Sequence, residues 1–464
     1  MTTAELVFTS LSDLAQRLKT GDLSPVELVL AYLKKIDLNN AKLKAYISVV
    51  GDVAVKKAKQ AETDIRNGNY RGPLHGIPYS CKDMFLTRNI TTTGGSRVLE
   101  DWLPEYDAAV VERIAHAGGI LLGKTNLHEF AYGATGENPH YGTAVNPADI
   151  TRLAGGSSSG SAAAMAGGLC TFALGTDTGG STRAPAALCG VVGLKPTYGR
   201  VSTHGTIPYC WSLDHVGIFS RTVEDAAFVL EVLAGYDPRD SHSTDISVPP
   251  FSQRLREDLK GYRFGIPRQF FFERVDSDIE AGVLRAIRLC EENGAIVTEV
   301  DVPPMEKTRT VSLVIQLPEM LSYHSRYLLK KKHLYGPDLL GGMALGQCLL
   351  AEHYVRAKRM VEWYRRQMTQ TFQEIDILLT PSCPITAPKA GEAFVNDGEE
   401  QEAVGNAITR YTSFFNMTGN PAITIPCGIN PKGLPIGVQL VAHHFREDVL
   451  LSASHALERR MQEN

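Results

Sequence analysis

The sequence predicts an α/β fold, a β-sheet with helices on its faces, because helical and strand periodicities alternate along it. In the first half, apolar residues at three-to-four spacing over residues 108–117 give way to an apolar run at 120–122. Helical spacing then returns at 161–166, followed by a second apolar run at 171–174. The second half repeats the strand, helix, strand order at 262–266, Ser277–Glu292 and 296–302. Composition agrees: 43% of the 464 residues are hydrophobic and 21% charged, the balance of a chain that buries a large core.

The remaining elements follow in order. Two amphipathic helices open the chain at 11–19 and 25–36, the first capped by Thr9 or Ser10, the second by Ser24 ahead of Pro25. A polar helix at 53–66 completes an N-terminal helical stretch over residues 1–70. The Gly72-Pro73 to Gly76-Ile77-Pro78 segment then breaks regularity and leads into a short strand ending at Lys82. Residues 311–375 are helical in pattern, an insert placed near the substrate site, and the aromatic stripe of Tyr354, Trp363 and Tyr364 reads as core. Strands return at Ile377–Pro381, 422–426 and 438–441 before a last helix. No repeat or flexible linker interrupts the pattern, so residues 1–464 are expected to form a single domain.

Charge and cysteine usage exclude several functions. A net charge of −4, with no like-charge block beyond Lys330-Lys331-Lys332, gives nucleic-acid binding no electrostatic support. No uninterrupted apolar stretch of about 18 residues is present, so no membrane span is expected and the location is expected to be cytoplasmic. The eight cysteines have no CxxC spacing and the thirteen histidines no HExxH, so neither a metal nor another cofactor is implied.

Two serine-glycine clusters carry the chemistry, Gly155 to Ser161 and Thr178-Gly179-Gly180-Ser181. Glycine permits close approach of backbone to ligand, and serine supplies a nucleophile. Two other motifs compete. Gly118 to Thr125 satisfies the phosphate-loop pattern, but a helix precedes it and Ile120-Leu121-Leu122 fills its middle as a buried strand. Gly156-Ser157-Ser158-Ser159-Gly160 satisfies GxSxG, which would make Ser158 the nucleophile of a triad with His443 or His444. The segment before it is turn chemistry rather than the strand such an elbow needs.

Taken with Gly76 to Asp83, Lys124 to Phe130, Gly175 to Arg183 and Gly190 to Pro196, the clusters resemble the amidase signature family. The resemblance extends over nearly the whole chain through Leu379-Thr380-Pro381 and Gly433 to Gln439. It implies a central mixed sheet covered by helices on both faces, and a Ser-Ser-Lys triad in place of Ser-His-Asp. By motif, Ser181 corresponds to the nucleophile, Ser157 to a bridging serine after a cis peptide bond, and Lys82 to the general base. The backbone amides of Thr178, Gly179, Gly180 and Ser181 correspond to the oxyanion hole, with Asp177, Arg183 and Ser158 in support. A lysine base must be neutral, so burial is expected to depress its pKa from about 10.4. One departure stands out: Ser159 occupies a position where the family often has glycine, which is expected to reshape the entrance.

The resemblance implies an amidase, a hydrolase of carbon–nitrogen bonds other than peptide bonds, that works through an acyl-enzyme on a small or medium-sized substrate. Carbamate (urethane) and biuret-type compounds are alternatives on the same triad, as is an idle amidase-like subunit. Glutamine-using relatives grip their substrate with an acid and an arginine; Thr409 stands where the acid would be, and Gly341-Gly342 near the arginine, so a glutamine-fed role is disfavoured. Tyr79, Tyr132 and Trp211 are candidates for an acyl pocket. The expected partner is the small-molecule substrate, with a homodimer possible and neither nucleic acid nor membrane.

Overall fold

The computed structural model describes residues 3–397 and 400–463. At its centre is an eleven-stranded sheet. Its strands are β1 (Tyr46–Val49), β2 (Pro78–Lys82), β3 (Ile120–Thr125), β4 (Phe172–Asp177), β5 (Val192–Lys195), β6 (His215–Ser220), β7 (Arg263–Pro267), β8 (Ile296–Val300), β9 (Ile377–Pro381), β10 (Ala422–Ile429) and β11 (Pro435–Ala442). They lie in the order β1-β3-β2-β4-β6-β5-β10-β11-β9-β7-β8.

The two stretches of strand-helix alternation make the parallel parts. β2 runs parallel to β3 and β4, and β7 runs parallel to β8 and β9. The strands between them pair antiparallel, so the sheet is mixed. Parallel neighbours need crossovers long enough to hold a helix, and the sequence supplies them: α4 (Ala109–His116) before β3 and α5 (Ser159–Ala166) before β4.

Alternate residues of a strand feed opposite faces. Ile377, Leu379, Ile423, Ile425, Val438 and Leu440 belong to one apolar cluster; Leu378, Ala422 and Val441 belong to the other. Beneath the first face lie α1 (Leu11–Thr20), α2 (Pro25–Leu43), α3 (Gly51–Arg66) and α7 (Val223–Leu233), with α8 (Ser277–Glu292) and α12 (Glu447–Glu463). Ser10, not Thr9, caps α1 through the Asp13 amide, and Ser24 caps α2 through the amides of Val26 and Glu27. Helix α2 runs to Leu43, past the expected residue 36, and the N-terminal stretch also contributes β1, an edge strand the periodicity did not predict.

The second face carries α9 (Thr308–Lys331), α10 (Pro337–Gln347) and α11 (Ala351–Glu374), the expected helical insert. Tyr364 is buried in this layer, with Tyr354 and Trp363 packed against it. A seven-residue helix, α6 (Arg183–Cys189), follows the second serine-glycine cluster. No described helix is long and apolar enough to cross a membrane.

Candidate active site

Lys82 is the last residue of β2 and is wholly buried. Its parallel neighbour β4 carries Thr176, and the turn into α5 carries Ser157 and Ser158, with a cis peptide between Gly156 and Ser157. These elements converge on one amine. Lys82 Nζ lies 2.7 Å from Ser157 Oγ, 3.0 Å from Ser158 Oγ and 2.7 Å from Thr176 Oγ1.

Burial lowers the Lys82 pKa to about 7, opposed by the more distant carboxylates of Asp214 and Asp177. A neutral amine has two hydrogens and one lone pair, so one of the three hydroxyls must donate to it. Ser158 Oγ donates instead to the Thr176 carbonyl at 3.0 Å. Neither the Ser157 nor the Thr176 hydroxyl has another acceptor among the described residues, which leaves these two to supply the donor.

The loop from Asp177 to Arg183 is shaped by a buried ion pair. Arg183 donates to both carboxylate oxygens of Asp177, at 2.9 and 3.1 Å, and also to Thr412 O, Gln439 Oε1 and Asn416 Oδ1. Burial alone would raise the Asp177 pKa, but the guanidinium holds the carboxyl well below the usual range. Asp177 also accepts from the amides of Gly180 at 2.9 Å and Thr182 at 3.1 Å. This corrects one expectation: the Gly180 N–H belongs to the loop's own scaffold and not to an oxyanion hole. The amides of Thr178, Gly179 and Ser181 make no hydrogen bond to the described residues. Gly180 has φ +120°, and a β-carbon there would stand 1.9 Å from Thr412 Oγ1.

Ser181 is 7% exposed and faces an open cleft of about 700 Å³. Its carbonyl accepts from the Ser158 amide at 3.4 Å, which sets the two serine clusters side by side. Ser181 Oγ has no hydrogen-bond partner among the described residues, and therefore none in Ser157 Oγ.

The cleft is walled by Tyr132, Tyr209, Thr178 and Gly179 below and by α9 and α10 above, with Thr409, Gly341 and Gly342 also lining it. Of the three expected pocket residues only Tyr132 lines it. Tyr79 stacks on Phe172 at 5.3 Å beneath the opposite face, because it stands three residues before Lys82 on an extended strand. Trp211 is 39% exposed on the turn whose neighbour, Tyr209, enters the cleft instead. Ser159 does not reshape the entrance; it is wholly buried, near Gly136.

The competing motifs are otherwise engaged. Lys124, in the phosphate-loop pattern, is buried on β3, 3.0 Å from Asp83 Oδ1 and donating to Phe85 O. His444 bonds to Thr418 O, and neither it nor His443 bonds to Ser158. No set of His, Cys, Asp and Glu capable of holding a metal gathers among the described residues.

Sequence reasoning missed Thr176, Asp214, His128, Tyr209, Gln316 and Arg309. Asp214 accepts from Thr178 Oγ1 at 2.5 Å and from the amides of Tyr209 and Cys210, tying the nucleophile loop to the Tyr209 turn. Burial raises its pKa to about 6. His128 lines the cleft as a neutral imidazole, burial lowering its pKa to about 4. Thr176 and His128 lie inside the 175–183 and 124–130 segments, but nothing local aims either at the lysine or the cleft; the others sit on turns and helices that only tertiary packing brings here.

A model of the amidase family matches residues 27–451. The glutamyl-tRNA(Gln) amidotransferase of Carboxydothermus hydrogenoformans has a subunit that is 36% identical, over 98% of this chain and 97% of that protein. Among solved structures, a chain of the vestigial protein complex that reveals the evolutionary origins of an s-triazine catabolic enzyme superposes with a TM-score of 0.93. It is 32% identical, over 97% of this chain and 98% of its own. Peptide amidase from Stenotrophomonas maltophilia superposes with a TM-score of 0.87 at 30% identity, over 98% of this chain and 97% of its own. With the mixed sheet, the two serine-glycine clusters and whole-length relatives in agreement, the chain belongs to the amidase family, hydrolases acting on carbon–nitrogen bonds.

Proposed function

We propose that this protein hydrolyses the carbon–nitrogen bond of a small or medium-sized amide through an acyl-enzyme on Ser181. One observation carries the reading: a fully buried lysine amine, 2.7 Å from Ser157 Oγ, with no carboxylate of the described residues within ion-pair distance to keep it charged. In the first step Lys82 takes the Ser157 proton while Ser157 takes that of Ser181, and Ser181 Oγ bonds to the carbonyl carbon. The oxyanion is held by the amides of Thr178, Gly179 and Ser181, each worth about 3 to 4 kcal/mol in the transition state. The Lys82 ammonium returns a proton through Ser157 to the departing nitrogen. Water, deprotonated by the same relay, then releases the acid. Asp177 and Arg183 fix the loop, and Ser158 and Thr176 fix the amine.

A cleft of about 700 Å³ suits a small-molecule substrate. A second reading, ammonia supply within an amidotransferase, is favoured by the name of the 36% identical relatives. Thr409 and Gly341-Gly342 on the cleft wall speak against it, since those positions lack the acid and the arginine with which glutamine-using relatives grip their substrate.

The test is a serine-directed fluorophosphonate with peptide mapping, beside a substrate panel of primary amides, anilides, carbamates, esters and glutamine. The expected result is an adduct on Ser181, turnover of small amides above glutamine, and loss of both adduct and turnover in Ser181→Ala. An adduct elsewhere, or a Ser181→Ala enzyme with its rate intact, overturns the proposal. Glutamine as the best substrate moves it to the second reading.

A further inference from the structure

Resting on the hydrolase reading above, we infer that the substrate carries a carboxylate or similar anion, held by Arg309 on the α9 wall of the cleft. Arg309, Leu313 and Gln316 stand at i, i+4 and i+7 on α9, and all three line the cleft. Gln316 marks the reacting end. It accepts from Tyr209 OH at 2.7 Å, and its amide nitrogen lies 3.8 Å from where a β-carbon on Gly179 would stand. Seven residues of helix at 1.5 Å each put Arg309 on the order of 10 Å further along the wall.

Arg309 is the one lysine or arginine among the described residues of the cleft lining, and it makes no ion pair or hydrogen bond with any described residue. Burial lowers its pKa from the ordinary arginine value, opposed by the carboxylate of Glu402, which is already paired with Arg410; the nearby phenols of Tyr209 and Tyr132 are kept neutral by burial. The cleft's own acids, Glu137 and Asp338, fall on the other side. Both line an adjoining cavity of about 380 Å³ with His128, in which Arg309 takes no part. Glu137 also accepts from the Gly391 amide at 3.1 Å.

The cleft is therefore polarised, with an uncommitted guanidinium at the α9 end and carboxylates at the His128 end. An arginine stays charged at any working pH and offers two parallel donors that match a carboxylate. Its place in the first turn of α9 adds the positive end of the helix dipole, which favours a bound anion. There is room for one, because a β-carbon on Gly341 or Gly405, both lining residues, would meet nothing within 4 Å.

Two matched pairs of substrates test the inference: adipamate against hexanamide, with the anion on the acyl side, and N-acetyl-5-aminopentanoate against N-pentylacetamide, with the anion on the amine side. The wild type is expected to favour the anionic member of at least one pair tenfold or more in kcat/KM. Arg309→Gln should collapse that ratio, and Arg309→Glu should invert it. A wild type that hydrolyses the neutral amides and shows no anionic preference in either pair overturns the inference and leaves the hydrolase reading standing, as does a preference that survives Arg309→Gln. Calorimetry with adipate needs no turnover and separates the two claims: the wild type should bind it at least tenfold more tightly than Arg309→Gln, and equal affinities overturn the inference whatever the activity.

Discussion

At the scale of single residues the decisive quantity is the charge on Lys82. Three hydroxyl contacts and complete burial leave the amine with hydrogen-bond partners but, among the described residues, no counter-ion within reach. Desolvation therefore wins, and the pKa comes down to about 7. The base works only when unprotonated, so kcat/KM is expected to rise with pH through a limb near 7 and to level above it. Thr176→Val removes an acceptor that the ammonium uses more fully than the free amine does. It should move the limb to lower pH while lowering the rate, because the amine is less well positioned. A rate profile flat from pH 5 to 9, or a limb unmoved in Thr176→Val, would contradict this assignment; steady-state kinetics with a non-ionising amide reads both. Lys82 was found from its motif and its place at a strand end, whereas Thr176 required knowing that β2 and β4 are neighbours.

Among the elements, the loop between β4 and α6 does most to hold the site. Asp177 accepts from loop amides on one side and from Arg183 on the other, and Arg183 reaches Thr412, Asn416 and Gln439 from the distant C-terminal half. Both side chains are wholly buried. Removing one partner leaves an uncompensated buried charge, so Arg183→Met is expected to cost about 3 to 5 kcal/mol. Adding Asp177→Asn to that variant should recover part of the loss, a coupling that denaturant unfolding of the two singles and the double measures. Additive effects would mean that the two side chains do not act as a pair. Local signals showed this loop because glycine, serine and aspartate crowd into one stretch of sequence. They did not show β5 and β6, whose Val192-Gly193-Leu194-Lys195 and His215-Val216-Gly217-Ile218 runs are short and broken by glycine. A β-carbon on Gly193 or Gly217 would meet Ala186 or Thr182, so these strands owe their sequence to contact with the α6 region rather than to strand periodicity. Helix α9 was read as helical from its spacing, but the face that meets the cleft depends on how it packs, which is why Arg309 and Gln316 were not found from sequence.

Across the whole molecule, the C-terminal helix α12 packs against α7 and α8 beneath the sheet, and its stability contribution carries a pH signature. Glu458 on α12 is 7% exposed and accepts from the Val223 amide at 3.0 and 3.2 Å, satisfying the first turn of α7. Burial, reinforced by the neighbouring Asp225 and Glu224 carboxylates, raises its pKa to about 8 despite that amide. Asp225, which accepts from the Ser12 amide of α1, is likewise raised to about 6 by burial, with Arg221 opposing. For an acid whose folded pKa lies above its unfolded value, the folded state binds more protons, so stability falls as pH rises between the two. For Glu458 that window runs from about 4.5 to about 8, and for Asp225 from about 3.8 to about 6. Glu458→Gln keeps the acceptor for Val223 and abolishes the larger window. Its melting temperature should therefore gain on the wild type as pH rises from 5 to 9, with the wild type dropping and the variant staying nearly level. Parallel curves for the two proteins would place the proton uptake elsewhere. A variant that loses rather than gains at pH 9 would mean that the carboxylate is ionised and needed in that form by the α7 amide.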